Sequence, residues 1–450
     1  MILQKFKMPN NKRKIIVTMI ILSVLLLSVI YLYNSFAVFT EEKHFNVING
    51  EIGDPGDIYF AYYVDGEITR SMPSQNTGYT LDTEKSKCTN GVTPNWNNAT
   101  WTFEANYSNY NATDYTRTKC NLYFEKTSKI VSTALGNIDV NTYTPDFTKS
   151  ACDDSTCESH EKGIYETVDD DGTSYYYRGS VENNYVKFAG FYWRIIRING
   201  NGSIRMIYDG TSAHDNGEES DDRIASTTKF NVTSDYYFNA GYMYSDNEFN
   251  GHSLSSVIKT SNDKFYQDNL TNYQDYFDIN TGFCGDRSIM STDANDDNLT
   301  YYTSYYRYTM NDPSLICRNI NDNYTISSAN NGNKALTYPI GLITMDEALY
   351  AGYSTITYIP NNNNNSKYYK YNPIGYLSIK SNYWTMTPVG FFNPAAWSHM
   401  VSLIFRIRDD NILWAIDLTY DYGLRPVINL KSTLKFTGDG TKESPYIPSL

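Results

Sequence analysis

The chain has 450 residues, 41% of them hydrophobic and 15% aromatic, which is enough apolar material for more than one folded core and excludes a disordered chain. Its formal net charge is −13, and no Lys/Arg block occurs beyond the first 14 residues. A nucleic-acid partner is therefore excluded, because binding that polyanion needs a clustered basic surface. The 43 tyrosines suggest aromatic carbohydrate platforms, but Tyr and Asn both have A/T-rich codons, so composition alone does not assign such a role.

The N-terminus reads as a targeting segment. "KFKMPNNKRK" precedes "IIVTMIILSVLLLSVIYLY" at residues 15 to 33, an uncharged run of 19 residues. At about 1.5 Å per residue it nearly covers a hydrocarbon core of about 30 Å. Lys5, Lys7, Lys12, Arg13 and Lys14 precede it and Glu41 and Glu42 follow, so the positive-inside rule predicts a cytoplasmic head at 1–14 and a transmembrane signal anchor at 15–37. The expected location is the cell membrane, single-pass, with the remaining domains extracellular. A cleaved signal peptide is the competing expectation, since "SFA" at 35–37 offers small residues at two positions.

Cysteine usage agrees with export. Cys88, Cys120, Cys152, Cys157, Cys284 and Cys317 fall into three sequential pairs, and in an oxidising compartment these read as disulfides. Fifteen connectivities are formally open, with local pairing preferred. Zinc is the rival, but no C-x-x-C occurs. No cofactor or metal ligand set is expected.

Residues 40–126 read as a small Ig-like β-sandwich. "IYFAYYVDGEITRSM" carries a hairpin signal at Asp65 and Gly66. In "ATWTFEA" and "KCNLYFE", Trp101, Phe103 and Ala105, then Cys120, Leu122 and Phe124, alternate with polar residues, as one buried sheet face requires. Trp96 and Trp101 are expected to pack in that core. Residues 127–182 read as an irregular connection. There Asp169, Asp170, Asp171 and Gly172 suggest a calcium loop without meeting its spacing, and "DANDDN" at 293–298 lacks the Gly and the closing Glu. Both are read as solvated turns.

Residues 183–450 read as an α+β domain. It opens with "YVKFAGFYWRIIRINGNGSIRMIYDG", a buried hairpin with arginines at its margins. A helix is expected from Ser253 to about Leu270, and a second after Thr344, where Thr344 and Glu347 form a capping box and Gly352 ends the turn. "YIPNNNNNSKYYKYN" at 358–372 is an exposed loop, and the last quarter is β.

Several blocks of this domain are distinctive in combination: "GFYWRIIRINGNGSIRMIYDG", "FCGDRSI", "LTYPIGLITMDEALYAG", "YWTMTP" and "GLRPVINLKS". Together they resemble an uncharacterised family of bacterial surface proteins, whose C-terminal domain is similar to the C-type-lectin-like fold shared with formylglycine-generating enzymes. The resemblance implies a lectin-like α+β domain over about 183–450. It does not carry the enzyme's activity, which needs a late cysteine pair, because no cysteine follows Cys317. Sugar-bridging calcium is likewise unsupported, since "FNPAAW" at 392–397 lacks an acidic partner.

Catalytic patterns are sparse. Among five histidines only His399 lies in the patterned last quarter, and neither G-x-S-x-G nor H-E-x-x-H occurs. The leading expectation is a membrane-anchored surface protein, a non-enzymatic binding or adhesion module for a glycan or protein ligand. The alternative is an extracytoplasmic enzyme acting on cell-wall or host glycans. Candidate ligand contacts are Tyr383, Phe391, Phe392 and Trp397, with the loop tyrosines Tyr368, Tyr369 and Tyr371, each of which has hydrophobic core as its plain alternative. Arg425, Pro426, Trp384 and Trp414 are expected to be structural, with Arg425 satisfying carbonyls or a carboxylate at the domain seam.

Overall fold

Tyr, Thr and β-branched residues are abundant in this chain, and they favour extended backbone over helix. The computed structural model describes residues 58–450, apart from 74–78, 98–99, 112–117, 127, 152–160, 293–298, 328–331, 354–356, 360–366, 370–374 and 393–400. Of the described residues, 42% are strand and 13% helical. The expected α+β class is therefore corrected to a mostly β architecture. The expected transmembrane helix is not supported either: residues 15–37 lie outside the described residues, and among those described no helix is long and apolar enough to cross a membrane. The Cys152/Cys157 pair, the 293–298 turn and His399 also lie outside them.

The chain divides into two units, residues 1–60 with 87–120, and residues 61–86 with 121–450. In the first, Thr93–Asn97 and Thr102–Asn106 form a hairpin with Trp96 opposite Phe103. Trp96 and Trp101 meet edge-on at 4.9 Å, both half-buried. A disulfide joins Cys88 to Cys120. The strands described between residues 58 and 126 are short, two to eight residues each.

In the second unit, Asp65 and Gly66 both take positive φ, 49° and 86°, and turn Val64 back onto Glu67. That is the tight two-residue hairpin the Asp-Gly pair encodes. Residues 127–182, expected to be irregular, instead contribute Ser128–Thr133, Gly136–Asn141, Gly163–Asp169 and Gly172–Arg178 to a nine-stranded sheet. Their alternation of Tyr and Thr with charged residues is a strand pattern that the acidic turn at 169–172 breaks into short pieces. The sheet continues through Phe191–Ile198 and Ile204–Gly210 to Val427–Leu430 and Ile340–Gly341. Residues 193–198 are buried on both faces, which explains their near-continuous apolar run. Arg194, Arg197 and Arg205 are buried rather than marginal.

A seven-stranded sheet is built around Tyr383–Phe392, which pairs with Leu299–Tyr302, Val401–Ile407 and Asp421–Leu424. One apolar core joins both sheets through Trp193, Ile195, Met206, Trp384, Met386 and Ile404. The expected first helix is Val257–Asn269, started by Ser256, whose side chain accepts the Lys259 N–H. Ile258, Asn262 and Tyr266 recur every fourth residue on its buried face. The second, Met345–Tyr350, has the full capping box of Thr344 and Glu347. A third, Thr303–Met310, was hidden by its tyrosine-rich sequence and ends at Asn311 in the left-handed region.

Candidate functional site

Two features of the second unit carry chemistry. The first is a charged crevice where Gly163–Asp169 turns toward the N-terminus of Met345–Tyr350. Arg197 and Arg205 stand opposite each other on paired strands, an arrangement that repels unless an anion is shared. Glu347 supplies it: Arg197 Nε donates to Glu347 Oε1 at 3.1 Å, and Arg205 pairs with the same carboxylate. Arg197 also donates to Asp169 Oδ2 at 2.6 Å. Arg307 bridges Asp286 at 2.6 Å and Asp346 at 2.7 and 2.9 Å. Burial alone would push the Glu347 carboxyl up, but the two guanidiniums and the Thr344 N–H leave it below its ordinary value. Arg307, drawn down by burial, is held above its ordinary value by Asp346 and Asp286.

The Cys284–Cys317 disulfide forms one wall of this crevice, and Asp170 accepts the Cys317 N–H on both carboxylate oxygens, at 3.0 and 3.2 Å. Burial, with Asp169 and Asp171 alongside, pushes the Asp170 carboxyl up to about 6. Asp171 is raised as well, by burial and then by Asp169 and Asp278. The crevice has a volume of about 40 Å³, room for about three waters. Chemically, the crevice offers paired charges and one carboxyl able to change protonation near neutral pH.

The second feature is an aromatic cluster at the edge of the seven-stranded sheet. The short helix Tyr237–Ala240 and the turn at 245–251 bring Tyr236, Tyr237, Phe238 and Phe249 together beside Phe391. Tyr236 stacks on Phe238 at 5.1 Å with an angle of 4° between planes, and Tyr237 stacks on Phe249 at 4.2 Å. Tyr237 and Phe238 meet edge-on, so the two stacks are continuous. Tyr236 remains 53% exposed and Phe249 38%. The segment is anchored: Ser402 donates its N–H to Ser234 O and its hydroxyl to Tyr236 O, at 2.9 and 2.8 Å. The turn is closed by Ser245 and Ser253, whose hydroxyls lie 2.8 Å apart.

The sequence candidates are scattered by comparison. Tyr383 is fully buried and donates to Leu377 O at 3.0 Å, so it belongs to the core. Phe391 is nearly buried but reaches the aromatic cluster. Phe392 ends the same strand, and Tyr368 and Tyr369 lie in Lys367–Tyr369, paired with Thr357–Ile359. Trp397 and Tyr371 fall outside the described residues. Trp384 is buried and donates to Thr228 O at 2.8 Å. Trp414, expected to be structural, is 37% exposed, because in Leu413–Asp417 it is Leu413 that points inward.

Arg425 is fully buried, donating to Tyr208 O and Leu377 O, both at 3.1 Å, and to Asp209 Oδ1 at 2.8 Å. Arg223 shares that carboxylate oxygen at 2.7 Å. Pro426 presents its carbonyl to the Tyr208 N–H. Gly423 is needed for space: a Cβ there would strike the Ile224 side chain and come within 2.9 Å of Asn382 O.

Tyr236, Tyr237 and Phe249 were not singled out from the sequence. Six aromatics between residues 236 and 249 were the available signal, diluted by tyrosine throughout the chain. No family model matches the chain, and neither a curated protein nor a solved structure matches it.

Proposed function

We propose that this chain works outside the cytoplasm as a binding or adhesion protein, recognising a glycan or protein ligand with surface segments fixed on a disulfide-tied β scaffold. The observation that carries the reading is the pair of disulfides, Cys88–Cys120 and Cys284–Cys317, with no free cysteine among the described residues. Such bonds persist in oxidising compartments, and they stiffen a scaffold whose work is done by loops. The buried arginine–carboxylate pairs support it too, since their charges are spent on one another. The resemblance to lectin-like surface domains points the same way.

One observation favours an extracytoplasmic enzyme acting on glycans instead: the Asp170 carboxyl, raised into the range of a general acid within a crevice. Presenting the full chain to glycan and protein arrays, and assaying it on cell-wall polymers, separates the two. Reproducible binders without turnover are expected. Turnover that disappears in Asp170→Asn, with no binder retained, would sink the binding reading.

A further inference from the structure

We infer that Asn106 is the acceptor of an N-linked glycan, joined through its Nδ2; this rests on the export of the chain proposed above, not on what the chain binds. Five N-x-S/T tripeptides lie wholly within the described residues, at Asn106, Asn201, Asn231, Asn269 and Asn323. That pattern is the acceptor signal for such transfer where the asparagine stands at the surface with its amide nitrogen free. Four of the five fail that condition. Asn231 and Asn323 are buried, at 2% and 5% exposure. Asn201 Nδ2 donates to Asp278 and Thr281, at 3.1 and 2.8 Å, and Asn269 Nδ2 donates to Phe265 O at 2.9 Å. Asn106 is exposed, and its Nδ2 bonds to no described residue.

The local structure explains why this amide is free. Asn106 ends the strand Thr102–Asn106, and Ser108 then donates its N–H, at 2.9 Å, and its hydroxyl to Asn106 Oδ1. An asparagine that takes over a backbone N–H two residues on turns the chain out of the sheet. That N–H needs an acceptor, so the contact fixes which amide atom is oxygen and leaves the nitrogen unengaged. Two donors on Oδ1 also draw electrons from the amide, so an Nδ2 proton is lost more readily. In the transfer, Nδ2 bonds the anomeric carbon of a lipid-linked glycosyl pyrophosphate. The bond from that carbon to the phosphate oxygen breaks, the pyrophosphate keeps the electron pair, and a base of the transferase takes the Nδ2 proton. The turn is firm, since the Tyr110 N–H returns to Tyr107 O and the two rings meet edge-on at 5.9 Å. The hairpin of Thr93–Asn97 and Thr102–Asn106 has no third strand among the described residues. A bulky, hydrophilic glycan at its end hinders another chain from pairing along the open edge.

The test supplies the folded full chain with a membrane oligosaccharyltransferase and a lipid-linked oligosaccharide. Enzymatic release of the glycan in heavy-oxygen water then marks each occupied asparagine as a labelled aspartate, read by peptide mass spectrometry. Label at Asn106 is expected, with none at Asn201, Asn231, Asn269 or Asn323. Asn106→Gln and Ser108→Ala should lose the label at that position, whereas Ser108→Thr, which keeps the hydroxyl, should retain it. All three variants should melt as the parent does, because the turn is exposed. An unlabelled Asn106 in the parent, equal label at the buried Asn231 and Asn323, or full label at Asn106 in Ser108→Ala would overturn the acceptor site. Enzyme and donor are supplied, so those results leave the export reading standing. Whole cells that shield the chain from added protease would defeat export itself.

Discussion

Asp170→Asn is expected to stabilise the protein, and to do so only at neutral and alkaline pH. Burial, with Asp169 and Asp171 beside it, raises the Asp170 carboxyl from 3.8 to about 6. Two units at 1.36 kcal/mol each make about 3 kcal/mol. The group is half-buried, so solvent screening reduces the usable figure to about 1.5 kcal/mol. The sign follows from proton binding. Well above pH 6 the carboxylate is charged in folded and unfolded chains alike, and folding bears the whole cost of drying it. As pH falls through 6 toward 3.8, the folded protein takes up a proton before the unfolded chain does, and the cost fades. Asparagine avoids that cost and can still accept the Cys317 N–H. Scanning calorimetry should show a higher melting temperature for the variant at about pH 8 and convergence with the parent near pH 4. An equal gain at both pH values, or a loss at the higher one, would show that the charge in the crevice is not the cause.

Arg425→Ala leaves Asp209 with Arg223 alone and takes a donor from the Tyr208 and Leu377 carbonyls, the latter keeping the Tyr383 hydroxyl, so a loss of about 3–5 kcal/mol is expected, read as lower yield of folded protein and lower melting temperature. Unchanged thermal stability would contradict that assignment. Replacing Cys284 and Cys317 together by serine reopens a loop of sequence separation 33, with an expected cost of about 3–4 kcal/mol on the chain-entropy model; a parent protein indifferent to reductant would refute it. Asp222 is destabilised as an anion by partial drying, but bonds from Ser220 and Thr211 and the charge of His214 outweigh this and hold its carboxyl far below the usual range. Glu218 is lowered by His214 in the same way. Their contribution is present above the ordinary carboxylate range and is lost as pH falls below it. Asp222→Asn should therefore flatten the acid limb of a pH–stability curve, and an unaltered limb would count against the His214 contacts.

What could be read from the sequence was local. The Asp65–Gly66 turn and the Thr344–Glu347 capping box depend on residues within four positions of each other, and both stand in the structure. Leu254, within the helix expected from Ser253, lies outside it and exposed, because Ser256 caps the helix two residues later. Sheet membership was less legible. Residues 128–178 form two local hairpins, with Thr133 opposite Gly136 and Asp169 opposite Gly172, but their place in the larger sheet depends on partners further off, such as Tyr165 opposite Asn141 and Tyr175 opposite Ile198, which no nearby pattern announces. The same holds for the sites. Phe391 was picked for its neighbours in sequence, but its ring companions, Tyr237 and Phe249, lie more than a hundred residues earlier. Glu347 was recognised as a cap, while its two arginines sit on strands that the helix reaches only after folding.

Val427–Leu430 has a temporal consequence. It inserts between Ile204–Gly210 and Ile340–Gly341, pairing Met206 and Ile340 with the same Ile428. During synthesis those earlier strands wait, with open edges, for a piece made more than two hundred residues after the first of them. Contacts of such long sequence separation close slowly. The larger sheet therefore cannot lock while the ribosome is still working through its middle. A ribosome stalled before codon 427 would hold a chain with its central seam unfilled, open to proteases and to pairing with its neighbours.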